Sequence, residues 1–357
     1  MRVIFAGSPA FAVPSLRRLL ATRHEIACVV TQPARPAGRG LVLKDPPVKQ
    51  FAAGEDLEVH QPEKFNAPEF LDILASKKPD LIVTVAYGRI FKRRALDLPR
   101  LGCVNLHASV LPRYRGVAPI NWAVINGEIE TGVTTFFMEE GVDTGDIILA
   151  RRTGIGEDEN AGELTERLAL LGADVLAETC DLIAQGAATH ARQDPSLASY
   201  APKLTKENGR ITWDGEAKGI HDHIRGVNPW PGAFCVFRSQ PLKIIASRLP
   251  KEEPALSPPS PGGHEPAASD FPPGGEEPGT SRAASAAQEP EMSSLWQGEG
   301  QGVRAGRVIR IDSQSGILVS CSSGSVWLEV LQAPGKKPTG GADFARGYRI
   351  KVGDVFG

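Results

Sequence analysis

The sequence predicts an α/β protein with a doubly wound, mostly parallel sheet in front and a small β-barrel behind. Helix and strand patterns alternate through roughly the first 190 residues, as in parallel strands joined by crossover helices. Beyond residue 206 the texture changes to short β-rich pieces set off by glycines, which suits a small closed antiparallel sheet. A length of 357 residues with 41% hydrophobic content allows two separate cores. The expected architecture is a Rossmann-like N-terminal domain over 1–190, a linker over 191–206, and an OB-like barrel over 207–357.

The elements follow in order. "RVIFAG" reads as a first strand, too soon broken to be a signal peptide, and "PAFAVPSLRRLLAT" as the helix after a tight turn. "EIACVVTQ" is the second strand. Residues 31–49 then carry four basic side chains against one acidic, with proline and glycine too frequent for helix or strand. The alternation resumes with "APEFLDILASKK", "PDLIVTVAYG", "GCVNLHAS" and "APINWAVING". "GVTTFFME" and "GDIILARR" add two strands, and residues 160–186 form a long amphipathic helix capped at Asn160. The barrel strands are "GRITW", "GAFCVF", "LKIIASRL", "GRVIRID", "GILVSC", "SVWLEVLQ" and "YRIKVGDVF". An insertion over 250–302, rich in Pro, Gly, Ala, Ser and Glu, interrupts them and is expected to be disordered.

Composition narrows the function. The five cysteines are dispersed without C-x-x-C spacing, which suits a reducing cytoplasm and argues against a disulfide framework or zinc site. No apolar run reaches membrane-spanning length. The first turn, "AGSPAFA", lacks G-x-G-x-x-G, and no G-x-x-x-x-G-K occurs, which removes the main support for dinucleotide cofactors and P-loop hydrolysis. His221 and His223 sit two apart in a presumed helix, where side chains diverge, so they are expected at the surface and no metal is expected. Residues 251–302 hold nine acidic and two basic side chains, whereas 200–250 with 303–357 hold sixteen basic and eight acidic. That basic excess suggests an anionic partner for the C-terminal part. No repeat or coiled-coil seam is evident, and a monomer is expected.

The chemistry concentrates in two places. In "GCVNLH", Asn105 and His107 are two apart on a strand, so they project from one face near its carboxyl end, where open α/β sheets bind ligands. Taken alone, the pair also fits a satisfied core histidine beside a turn-forming asparagine. "GVDTGDI" places Asp143 and Asp146 around a turn between two further strands. A carboxylate, an imidazole and an amide together suit acyl transfer to an amine without a covalent nucleophile: the carboxylate fixes the imidazole, and the amide bonds an oxygen on which charge develops.

"NLHASVLPRYRGVAPINWAV" with "GVDTGDI" resembles the folate-dependent formyltransferases. "VIFAGSPAFAV", "TQPARPAGRGLVLKDPPVK", "YAPKLTKENGRITW" and "IRGVNPWPGAF" extend the resemblance over nearly all of the chain except the acidic insertion, toward the members whose acceptor is methionyl initiator tRNA. The resemblance implies formyl transfer from 10-formyltetrahydrofolate by Asn105, His107 and Asp143. It implies folate binding by Ser109, Val110, Leu111 and Pro112, and an acceptor-stem loop with Arg39 as its key residue beside Arg35, Lys44 and Lys49. An exposed basic segment is also what phosphate contacts need. Ala10 departs from the family, which usually carries an acid there. A formyltransferase for amino-sugar nucleotides shares the N-terminal motifs, and a non-catalytic RNA-binding protein could share the barrel. The basic segment speaks against the first and the intact trio against the second.

Overall fold

The computed structural model describes residues 1–37, 42–251 and 305–357. Arg39 lies outside the described residues, as does the 250–302 insertion apart from Pro250 and Lys251. The N-terminal part runs β1 (Arg2–Gly7), α1 (Val13–Leu20), β2 (Glu25–Val30), β3 (Arg35–Ala37), β4 (Val42–Lys44), α2 (Pro47–Gly54), β5 (Val59–His60), α3 (Pro68–Ser76), β6 (Leu81–Val85), α4 (Arg93–Leu96), β7 (Cys103–His107), β8 (Arg115–Gly116), α5 (Pro119–Ile125), β9 (Glu130–Phe137), β10 (Ile147–Gly154) and α6 (Ala161–Ala184).

Seven of these strands form one sheet in the order β10-β9-β7-β6-β1-β2-β5. The five from β5 to β7 are parallel, and β9 and β10 complete the far edge antiparallel. β6, "LIVTV", is buried at every residue because helices cover both faces of a parallel sheet. Val3 and Phe5 meet Leu16, Leu19, Leu164 and Leu168 on one face, while Ile4 and Ala6 meet Leu71, Leu74 and Phe91 on the other. α6 starts on a capping box: Asn160 Oδ1 accepts from the Gly162 and Glu163 amides, and the Asn160 amide donates to Glu163 Oε2.

The C-terminal part comprises β11 (Tyr200–Ala201), α7 (Ala217–Gly226), β12 (Ala233–Phe237), β13 (Gln240–Arg248), β14 (Val308–Asp312), β15 (Gly316–Ser320), β16 (Ser325–Gln332), β17 (Thr339–Gly340) and α8 (Gly341–Tyr348). Its antiparallel sheet has the order β12-β13-β16-β15-β14, with β17 beside β16. The last residues bond to both edges: Gly357 exchanges two backbone bonds with Val236 on β12, and Asp354 and Gly353 bond Val308 on β14. The sheet thereby curls round a core containing Trp213, Phe237, Leu328, Phe344 and Phe356.

Three local expectations are corrected. Residues 31–49, read as unsuited to regular structure, hold the β3–β4 hairpin and the start of α2. There Pro36 occupies a strand pair that carries little ladder and Pro47 the first turn of a helix, two positions that tolerate a missing N–H. "GRITW" forms one bridge, Arg210 to Phe234, and "YRIKVGDVF" one bridge at Val355, because neither finds a full-length partner. His221 is buried, not superficial. It bonds Ser247 and the Glu157 carbonyl where α7 meets the N-terminal part. Within residues 191–206, Ala191 bridges Ile147, and β11 pairs with β8.

Candidate active site

β7 ends on the asparagine–histidine pair, and both residues line a cleft of about 640 Å³ at the carboxyl ends of β6 and β7. Residues 86–91, 116–121 and 138–143 wall it. Thr84, next to Asn105 across the β6–β7 ladder, donates its hydroxyl to Asn105 Oδ1 at 2.6 Å. The amide is thereby oriented with its two N–H donors left for the cleft. A larger groove of about 850 Å³ between α1 and α6 is walled by paired charges such as Arg18–Asp174 and carries none of these groups.

His107 is buried, at 6% exposure. Its Nε2 lies 2.8 Å from the Tyr114 carbonyl. A carbonyl only accepts, so Nε2 carries a hydrogen and Nδ1 is left for other work. Nδ1 lies 3.7 Å from Asp143 Oδ2, and that oxygen accepts the Gly116 amide at 2.8 Å. The Tyr114 carbonyl, not Asp143, therefore sets the tautomer. Tyr114 is held in left-handed backbone, φ 59, with its amide on Ser199 Oγ and its phenol donating to Glu128 at 2.7 Å. Burial first, and then the bond to Glu128, raise the phenol's pKa and keep it a donor. Arg113 pairs with the same carboxylate.

Glycine is required twice around Asp143. A Cβ on Gly116 (φ 116) would lie 2.8 Å from the Ala201 carbonyl oxygen, and one on Gly145 would lie 1.7 Å from that of Phe137. Ser109, Val110, Leu111 and Pro112 are not among the residues lining the cleft. Ser109 donates to the Arg113 carbonyl, and Thr134 Oγ1 bonds both the Ser109 carbonyl and the Leu111 amide. This run is a support that carries Tyr114 to His107. Arg35 and Lys44 are cross-strand partners on the hairpin, and both are exposed. Lys49 sits on α2 with its ammonium 2.8 Å from Asp45. Asp146 faces His190 Nδ1 at 3.7 Å, away from the trio.

Sequence reasoning missed Thr84, the Tyr114 carbonyl and Gln193. Gln193 donates to the Asp143 and Gly145 carbonyls at 2.9 and 2.8 Å from 50 and 48 residues away, and no local pattern signals such a contact. All five cysteines are buried, and burial pushes the thiols of Cys28, Cys103, Cys180 and Cys235 up to about 12. None of these four offers a thiolate nucleophile. Among the described residues no His/Cys/Asp/Glu group is placed to hold a metal, and no helix is long and apolar enough to cross a membrane.

The formyl transferase family profile matches residues 1–180, and the profile of the formyl transferase C-terminal domain matches 203–349. Methionyl-tRNA formyltransferase of Geotalea uraniireducens (strain Rf4) is 41% identical over 100% of this chain and 98% of its own. That of Moorella thermoacetica (strain ATCC 39073 / JCM 9320) is 42% identical over 100% and 99%. Among solved structures, the sugar 3N-formyl transferase WlaRD superposes with a TM-score of 0.60 at 17% identity, over 94% of this chain and 99% of that one. Aquifex aeolicus HypX in complex with tetrahydrofolic acid gives 0.55 at 15% identity, over 99% of this chain and 48% of that one. The last two establish shared fold alone. With matching domains in the same order and relatives similar from end to end, the chain belongs to the methionyl-tRNA formyltransferase family.

Proposed function

We propose that this chain transfers the formyl group of 10-formyltetrahydrofolate to the α-amine of methionyl initiator tRNA, as a cytoplasmic monomer. Residues 1–190 act as the catalytic domain and 207–357 as the tRNA-binding domain. The observation that carries this reading is the strand-end set of Asn105, His107 and Asp143 opening into one cleft. Its volume of about 640 Å³ lies within the roughly 300–1,000 Å³ usual for small-molecule sites. The folate rests against residues 86–91 and 138–143, with Ser109, Val110, Leu111 and Pro112 supporting the floor.

The donor supplies an activated formyl carbon. The amine nitrogen bonds to that carbon, its bond to the folate nitrogen breaks, and one proton passes from the amine to the departing nitrogen. Asn105 Nδ2, oriented through Thr84, donates to the formyl oxygen as charge builds there. His107 exchanges the proton at Nδ1, since its Nε2–H is held by Tyr114, and Asp143 favours the imidazolium that forms. Arg35, Lys44 and Lys49 lie on the β3–β4 hairpin and α2, and with Arg39 they meet the acceptor end of the tRNA. The basic C-terminal part holds its backbone.

The test supplies 10-formyltetrahydrofolate with either charged initiator tRNA or a panel of amino-sugar nucleotides. Formyl should appear on the tRNA alone, and Asn105→Ala and His107→Ala should each lower turnover about a hundredfold or more. Formylation of the sugars alone, or folded variants with wild-type turnover, would overturn the reading.

A further inference from the structure

Asp143 is held in left-handed backbone, φ 55, a conformation uncommon for a residue with a side chain. Bonds to its side chain and to the main chain of its turn hold it here. The carboxylate takes the Gly116 amide at 2.8 Å. The main chain is gripped by Gln193, whose Nε2 donates to the Asp143 and Gly145 carbonyls. Gln193 Oε1 in turn accepts Arg115 Nη2 at 2.7 Å and Nε at 3.1 Å. Arg115 is only 6% exposed, and no carboxylate among the described residues pairs with it. The amide of Gln193 therefore has its donors and its acceptor all engaged, and Arg115 and Gly116, adjacent in β8, hold Asp143 from its main-chain and side-chain sides.

We propose that Gln193 is a positioning residue for formyl transfer. With Arg115 it holds the 143–145 turn so that the Asp143 carboxylate faces His107 Nδ1. Gln193 comes from the segment between the two parts of the chain, which is bonded to residues 112–118, including Arg115, through Ser199 and Ala201. The inference rests on the proposed role of Asp143, and the test separates the two.

Gln193→Glu is isosteric. It keeps both acceptor bonds from Arg115 but sets carboxylate oxygen against the two carbonyls. Measured with both substrates saturating, Gln193→Glu and Gln193→Ala should lower kcat roughly tenfold to a hundredfold, the scale of a displaced catalytic group. KM for both substrates should change by less than about twofold, the mark of an interaction that matters in the transition state. The kcat–pH profile of Gln193→Glu should move as well, which a purely structural role would not cause. In an Asp143→Asn background, Gln193→Glu should add less than about a further twofold loss, since the two changes disable one unit. Wild-type kcat in either Gln193 variant, or losses that multiply with Asp143→Asn, would overturn the inference and leave Asp143 standing. Wild-type turnover in Asp143→Asn itself would overturn the reading beneath it. Should Gln193→Glu fail to fold, Gln193→Ala carries the same cycle, since it sets no charge against the carbonyls.

Discussion

Asp222→Ala should be among the most destabilising single substitutions in this chain. Asp222 and Arg225 lie one turn apart on α7 with side chains 5% and 7% exposed, Oδ1 sitting 2.7 Å from Nη2 and 2.9 Å from Nε. Arg225 Nη1 also reaches across to the Gly156 and Glu159 carbonyls, so the pair tethers α7 to the loop before α6. Lys218 bonds the second carboxylate oxygen, but its side chain is 59% exposed and contributes little. Removing the carboxylate leaves a buried guanidinium without its ion-pair partner, with only a longer-range attraction from Glu159 remaining, which costs about 3–5 kcal/mol. At roughly 2–4 °C per kcal/mol for a domain of 150–250 residues, the melting temperature should fall by about 6–20 °C. Asp222→Asn keeps an acceptor for Arg225 and should lose distinctly less. Calorimetry of the full chain and both variants at one pH decides the matter. A melt of Asp222→Ala within about 2 °C of wild type would mean that water or a shifted side chain compensates Arg225, and the tether argument would fail.

Three other outcomes are expected. Thr84→Val preserves shape but frees the Asn105 amide, so turnover should drop by about fivefold to tenfold, the worth of one hydrogen bond; in an Asn105→Ala background it should do nothing, and a multiplied loss in single-turnover assays would dissociate the two. Arg39→Ala should cut formylation of charged tRNA steeply and Arg39→Lys restore part of it, because a planar fork can bond phosphate and stack on a base; wild-type formylation by both would remove the loop from recognition. Burial lowers the His223 pKa below its ordinary 6.5, against a backbone bond to Asn208 that raises it. The unfolded chain then takes up this proton first, so stability is lost as pH falls from about 6.5 toward the folded value. His223→Gln should flatten that segment of a denaturation-versus-pH curve, and an unchanged curve would refute the assignment.

What the sequence alone determined is what depends on near neighbours. Apolar runs and the periods of two and 3.6 residues are local, so "RVIFAG", "LIVTV" and the helix after Asn160 were legible, and so was the shared face of Asn105 and His107. The choice of Asn105, His107 and Asp143 rested on family resemblance, through two motifs, "NLHASVLPRYRGVAPINWAV" and "GVDTGDI", each continuous in the chain. Pairing is not local. "GRITW" and "YRIKVGDVF" have strand composition yet form single bridges, because a strand exists only where an edge is available to it. The basic segment likewise became a hairpin and a helix. The supporting contacts of the site were out of reach for the same reason. Thr84 meets Asn105 across 21 residues and Gln193 meets Asp143 across 50. Tyr114 fixes the His107 tautomer with a backbone carbonyl, a group every residue carries and no sequence pattern distinguishes. Only the tertiary structure, by returning distant segments to the end of one strand, decided which nitrogen of His107 carries the hydrogen.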